Sequence, residues 1–261
     1  MVHGLSVFRN YFKNFADNYI IIGGTACDII IDAAGFIPRA TRDIDIILVV
    51  EALTPTFLAQ FWDFIRMGQY EDTEENGSER KHYRFSKPQK TDFPYQIELF
   101  SRIPDLLEIP EGFHLTPIPA DDDLSSLSAI LMNDDYYNYT HLHCTQIDGL
   151  KRANIEALVC LKAKAYLDMV DRKKRGEKVD EKHIKKHRTD VFRLSVLLAG
   201  DAVFQLPQSI QADMQAFSNS VKEQLPDKAI FKEMGLGNIK SEVLFQQLKR
   251  SFGLIDNDTS A

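Results

Sequence analysis

Tyr19-Ile20-Ile21-Ile22-Gly23-Gly24-Thr25-Ala26-Cys27-Asp28-Ile29-Ile30-Ile31 is the stretch that decides the fold. Its first four residues form a short apolar run of strand length, rich in β-branched side chains, and Gly23-Gly24 ends it. Thr25 can cap a helix that runs through Ile29, Ile30 and Ile31 to a stop at Gly35. After a loop holding Pro38 and Arg39, Ile44 to Val50 reads as a second strand. Strand, tight glycine turn, helix, strand is the expected order, and it puts the chain in the mixed α/β or α+β class.

Working outward, Leu5 to Asp17 carries Phe8, Tyr11, Phe12 and Phe15 at helical spacing, and Thr56 to Met67 is a helix bearing the only tryptophan, Trp62. Glu71 to Ser78 is a polar turn with Asn76-Gly77 at its tip, followed by strand-like runs at Lys81 to Phe85 and Tyr95 to Phe100. Leu127 to Met132 reads as a further strand, after which Asn133 and Asp134 can cap a short tyrosine-bearing helix. From Ile155 the pattern is almost wholly helical. Ile155 to Val170 keeps Leu158, Leu161, Ala165 and Met169 on one face, and His183 to Leu198 does the same with Val191, Leu194 and Leu198. The expected organisation is an α/β domain over 1–153, a helical domain over 154–256 with breaks at Pro207, Pro226 and Gly235/Gly237, and a frayed tail over 257–261.

With 261 residues, 44% hydrophobic and 26% charged, the chain can bury one large core or two smaller ones without disulfide staples. Cys27, Cys144 and Cys160 are odd in number and irregularly spaced, which fits a reducing compartment, so a cytoplasmic protein without export signal or membrane insertion is expected. The net charge of −7 argues against bulk coating of nucleic acid, but the charge is uneven. Residues 172–188 hold nine Lys and Arg against Glu177, Asp180 and Glu181, a local +6 that leaves −13 for the rest of the chain. This segment reads either as a patch for triphosphate or RNA or as a solvated helical surface.

Asp43 and Asp45 are one residue apart on a predicted strand, so their carboxylates leave the same face. Two such acids repel one another in a partly buried site unless a cation neutralises them. Hard oxygen donors suit Mg2+, which binds through one or two carboxylates plus substrate phosphates. The bland alternative is a half-exposed strand with both acids in water. Gly23-Gly24, between a strand and a helix, can bring backbone N–H groups and the positive helix end to a phosphate. Glu98, in Gln96-Ile97-Glu98-Leu99-Phe100, is either an outward surface residue or a ligand pointing into a cleft. If it lies beside Asp43 and Asp45, the three acids can hold two metal ions about 3.5 to 4 Å apart, an arrangement suited to in-line nucleotidyl displacement.

Ile22-Gly23-Gly24-Thr25-Ala26 followed by Arg39-Ala40-Thr41-Arg42-Asp43-Ile44-Asp45 resembles the signature of the nucleotidyltransferase superfamily with the DNA polymerase beta-like fold, in particular the AbiEii/AbiGii toxin group. Leu161-Lys162-Ala163-Lys164-Ala165 resembles that group's Lys-x-x-Ala helix, and Thr189-Asp190-Val191-Phe192-Arg193-Leu194 its later Lys-Asp-Leu-x-Asp-Leu helix. Thr189 replaces the usual lysine there and Arg193 the usual second aspartate. The resemblance implies a nucleotidyltransferase-type mixed β-sheet with flanking helices, plus a C-terminal helical domain closing a cleft. It implies that Gly23 and Gly24 hold a triphosphate with Thr25 beside them, that Arg39 and Thr41 brace the loop or touch phosphate, and that Lys162 reaches the nucleotide. Asp43, Asp45 and Glu98 would coordinate Mg2+ or Mn2+, with an NTP as substrate. The acceptor hydroxyl would belong to a tRNA 3′ end, a protein or a small molecule, and an antitoxin partner is implied for a toxin of this group. The rival expectation is a nucleotide-binding regulatory or antitoxin-like module without turnover.

Other signals point to structure. In His141-Leu142-His143-Cys144, strand alternation would separate Cys144 from the two histidines, so a structural strand is expected rather than zinc. Asp121-Asp122-Asp123 marks a helix start or an exposed loop, and His183 and His187 lack the intervening glutamate of a metalloprotease helix.

Overall fold

A computed structural model describes residues 2–70, 82–100, 130, 133–237 and 239–255. The expected turn at Glu71 to Ser78, the acidic run Asp121 to Asp123, the tail over 257–261, and the expected strand Leu127 to Met132 apart from Ile130 lie outside the described residues. The described chain divides into two compact units, neither continuous in sequence. One comprises Met1–Ile29, Arg39–Asp121 and His141–Asn154; the other comprises Ile30–Pro38, Asp122–Thr140 and Ile155–Ala261.

The first unit is built on a mixed sheet of β1 (Tyr19–Ile22), β2 (Asp43–Leu48), β3 (His82–Ser86), β4 (Gln96–Phe100), β5 (Cys144–Ile147) and β6 (Leu150–Ala153), in the spatial order β3-β4-β2-β1-β6-β5. β1 runs antiparallel to β2, and β2 runs parallel to β4. Helices α1 (Leu5–Phe12) and α3 (Pro55–Gly68) supply an aromatic layer. Phe8 meets Tyr19 edge-on at 5.4 Å, Phe12 lies 5.2 Å from Phe64, and Phe61 lies 5.5 Å from Phe85. Each such ring, fully buried, contributes about 1.5–3 kcal/mol of apolar transfer energy. Thr54 starts α3 by accepting the Phe57 N–H on its hydroxyl at 3.2 Å, with Pro55 at the first helical position.

Two local expectations are corrected. Thr25 does not cap a helix: α2 (Gly23–Ala33) begins at Gly23 itself, directly on the end of β1. His141-Leu142-His143-Cys144 is not one strand either, because α4 (Asp134–Leu142) runs into it and β5 starts only at Cys144. The reason is the turn that follows. Asp148 and Gly149 both have positive φ, 51° and 76°, and join β5 to β6 as a two-residue hairpin, so register is set from Asp148-Gly149 backwards. Asn133 caps α4 as its sequence suggests, its side-chain oxygen accepting the Asp135 N–H at 2.9 Å.

The second unit is helical. Helices α5 (Ile155–Lys174) and α6 (Glu181–Ser195) pack together, and α7 (Gln208–Val221), α8 (Ala229–Glu233) and α9 (Ser241–Ser251) complete it. Tyr166 meets Phe217 edge-on at 5.3 Å and Phe192 stacks on Phe245 at 6.4 Å. Arg193 is buried and donates to the Ile37 carbonyl at 3.1 Å, while the Ile37 N–H donates to the Met234 carbonyl. Arg193 thus fastens the 30–38 segment within this unit. No described helix is long and apolar enough to cross a membrane.

Candidate active site

The site grows from the register of three strands. Asp45 pairs with Ile22 on one side and with Glu98 on the other, and Glu98 in turn pairs with Arg84. Paired residues in neighbouring strands share a face, so Arg84, Glu98 and Asp45 form one row across the sheet and point the same way. Asp43 and Gln96 form the next row on that face. Ile44 and Ile46 turn to the opposite, buried face, whereas Asp43 and Asp45 are half-buried. The two aspartates therefore stand where the period-two reading puts them.

Glu98 is only 7% exposed. Its Oε1 accepts from Arg84 Nε at 2.8 Å and from Gln96 Nε2 at 2.7 Å, and Asp45 is its register partner on β2. Burial, reinforced by the Asp45 charge and opposed by Arg84, pushes Glu98 up to about 9. Over the neutral range Glu98 therefore keeps its proton.

Beside Asp45 is the glycine corner. Gly23 has φ +66°, and a Cβ placed on it would lie 1.7 Å from Asp45 Oδ2. The backbone and this carboxylate occupy the space any side chain would need, so only glycine closes β1 onto α2 here. Gly24 is in close approach to Thr41: a Cβ on it would meet Thr41 Cγ2 and Oγ1 at 3.0 Å.

Thr25 is fully buried, and its hydroxyl donates to the Asp43 carbonyl at 2.5 Å. That bond fastens α2 to the start of β2. Asp28, a residue that sequence reasoning passed over, is 2% exposed and accepts the N–H groups of Arg39 (3.2 Å) and Thr41 (3.1 Å). Burial raises its pKa, while the bonds from Thr41 and the charge of Arg39 oppose the rise. The signal was there to be read: a lone acid inside Ala26-Cys27-Asp28-Ile29-Ile30 needs buried donors. Thr41 and Arg39 thus brace the loop that leads into Asp43.

Lys162, expected at the nucleotide, belongs to the second unit. It is 6% exposed and its ammonium lies 3.4 Å from Asp190 on α6, which is 2% exposed. The two residues come from the two helical motifs named above, and their pairing is an internal ion pair of the helical unit. Breaking a buried pair strands a charge, at a cost of about 3–5 kcal/mol. Lys162→Ala is therefore expected to lower unfolding stability by that amount in urea titration, and Lys162→Met combined with Asp190→Leu to recover most of the loss. An unchanged midpoint in Lys162→Ala would leave the lysine free for a ligand.

Carboxylate oxygens are the donor type that hard divalent ions take. Asp45 and Glu98 are register partners, and Asp43 shares their face. Among the described residues no three His, Cys, Asp or Glu side chains stand as a ready-made metal cluster. Cys27, Cys144 and Cys160 are not joined in disulfides, and Cys27 and Cys160 are buried. Neither protein-family models nor curated proteins give a match to this chain.

Proposed function

We propose that the chain is a Mg2+- or Mn2+-dependent nucleotidyltransferase that moves a nucleoside monophosphate from an NTP to a hydroxyl acceptor and releases pyrophosphate. The observation that carries this reading is the register pairing of Asp45 with the buried Glu98, the Asp45 carboxylate lying against the Gly23 corner. A solvated surface acid would stand in water, whereas Glu98 is buried beside its register partner Asp45.

Each residue then has a task. Asp45 and Glu98, with Asp43 on the same face, would hold the divalent ion, and the backbone N–H groups of Gly23 and Gly24 at the first turn of α2 would meet phosphate. When bound, the ion supplies charge stabilisation at the transferring phosphate and lowers the pKa of the attacking hydroxyl. Thr25 and Asp28 fix Asp43 and its approach loop, and Arg84 and Gln96 orient Glu98. The resemblance of the double motif to the nucleotidyltransferase superfamily supports the same assignment, and the AbiEii-like toxins within it suggest a tRNA, a protein or a small molecule as acceptor, with an antitoxin as partner.

One feature favours a second reading. Arg84 already gives Glu98 a resident cation, as a nucleotide-binding regulatory or antitoxin-like module without turnover would retain. Incubation with each α-labelled NTP, Mg2+ and either total tRNA or lysate separates the two. Label transferred by the wild type and not by Asp45→Asn is the expected result. NTP-dependent thermal stabilisation without label on any acceptor would favour the binding module, and neither response would end both readings.

A further inference from the structure

The +6 segment of the sequence surrounds a cleft that the proposed reaction does not use. It lies entirely within the helical unit, between α5, α6 and the end of α7, and has a volume of about 610 Å³. Cavities of this size hold small organic ligands. Val170, Ile184 and the buried Tyr166 form an apolar wall, opposed by Lys173, Lys174, Lys185 and Arg188.

These cations are not equivalent. Lys173 is paired with Glu181, which also lines the cleft, and Lys174 with Asp171 at 3.3 Å. Lys185 has no ion pair or hydrogen bond among the described residues. Arg188 Nε is shielded from solvent and has no partner there, and its guanidinium reaches only Gln224 Oε1, at 3.5 Å, the limit of a hydrogen bond. Lys185 and Arg188 are three residues apart on α6 and so share a face, where like charges repel. A buried guanidinium N–H without an acceptor, next to an unpaired ammonium, is an incomplete anion site.

We propose that this cleft binds a small polyphosphate-bearing ligand of nucleotide size, with Lys185 and Arg188 on the phosphates and the Val170–Ile184 wall against the nucleoside. The site is composed only of helical-unit residues and does not depend on the carboxylates of the sheet. Inorganic polyphosphate and nucleoside polyphosphate share the phosphate chemistry, and the apolar wall selects the latter.

The test is titration calorimetry on the full chain in EDTA, with tripolyphosphate, ADP and adenosine as probes. Saturable binding of ADP, weaker binding of tripolyphosphate and none of adenosine are expected. Lys185→Ala and Arg188→Gln should each weaken ADP binding at least tenfold, and Asp45→Asn should leave it unchanged. Lys185 is exposed, so that variant keeps its fold and its result stands alone. Equal binding of tripolyphosphate and ADP would support the phosphate site and assign it to inorganic polyphosphate. The proposal is overturned if neither phosphate probe saturates, if both cleft variants bind as the wild type does, or if Asp45→Asn abolishes binding. The label-transfer experiment needs a divalent ion and this one excludes it, so the two readings fail separately.

Discussion

Gly23→Ala is expected to abolish nucleotidyl transfer and to destabilise the fold. The added methyl would sit 1.7 Å from Asp45 Oδ2, and the residue would have to keep φ at +66°. A left-handed conformation costs a non-glycine residue about 1–2 kcal/mol, and overpacking adds about 1–3 kcal/mol. Relief can come only by moving the Asp45 carboxylate or the β1–α2 junction. Either shift displaces Asp45 from its register partner Glu98, and a misplacement of about 1 Å in reacting groups costs about 100-fold in rate. Chemical denaturation and label transfer read the two effects independently. Wild-type turnover in Gly23→Ala would mean that the glycine corner is not part of the site.

The second large effect concerns the proton held on Glu98. In the unfolded chain Glu98 titrates near the ordinary 4.5, and in the folded protein it is pushed up to about 9. Between these values the folded state keeps a proton that the unfolded state has lost, so stability falls as pH rises through this window. The slope for one proton is at most about 1.4 kcal/mol per pH unit. Without divalent ions, the unfolding free energy should therefore decline from pH 5 to pH 9. Mg2+ binding must displace the same proton, so stabilisation by Mg2+ should grow over that range. Glu98→Gln removes the titration while keeping the shape. It should flatten the pH profile, equal or exceed the wild type in stability near pH 9, and lose label transfer by at least about 100-fold. Urea titrations at four pH values, with EDTA and with Mg2+, check this. A wild-type profile that is flat or rises with pH would show that no proton is held there.

The aromatic layer and the helical unit follow from local pattern. Phe8 and Phe12 recur at helical spacing, and Thr54-Pro55 and Asp180 start α3 and α6 with caps visible in the chain. The β5–β6 hairpin was harder to read. Gln146, Lys151 and Arg152 give it no apolar alternation, and its mark is Asp148-Gly149, a signal confined to two residues. Arg193 shows the opposite case, since nothing near it in the chain announces the Ile37 carbonyl it binds 156 residues away.

From the amino-acid order alone came the common face of Asp43 and Asp45, the glycine pair between a strand and a helix, and the suspicion attached to Glu98. These rest on short-range geometry: the alternation of a strand and the φ freedom of glycine act within a few residues. Only the tertiary structure decided that Glu98 stands beside Asp45, that Arg84 and Gln96 hold it, that Asp28 anchors the loop before Asp43, and that Lys162 pairs with Asp190. Each of these joins residues distant in the chain, and strand register and helix packing set them through the summed burial of many side chains, which no local pattern encodes.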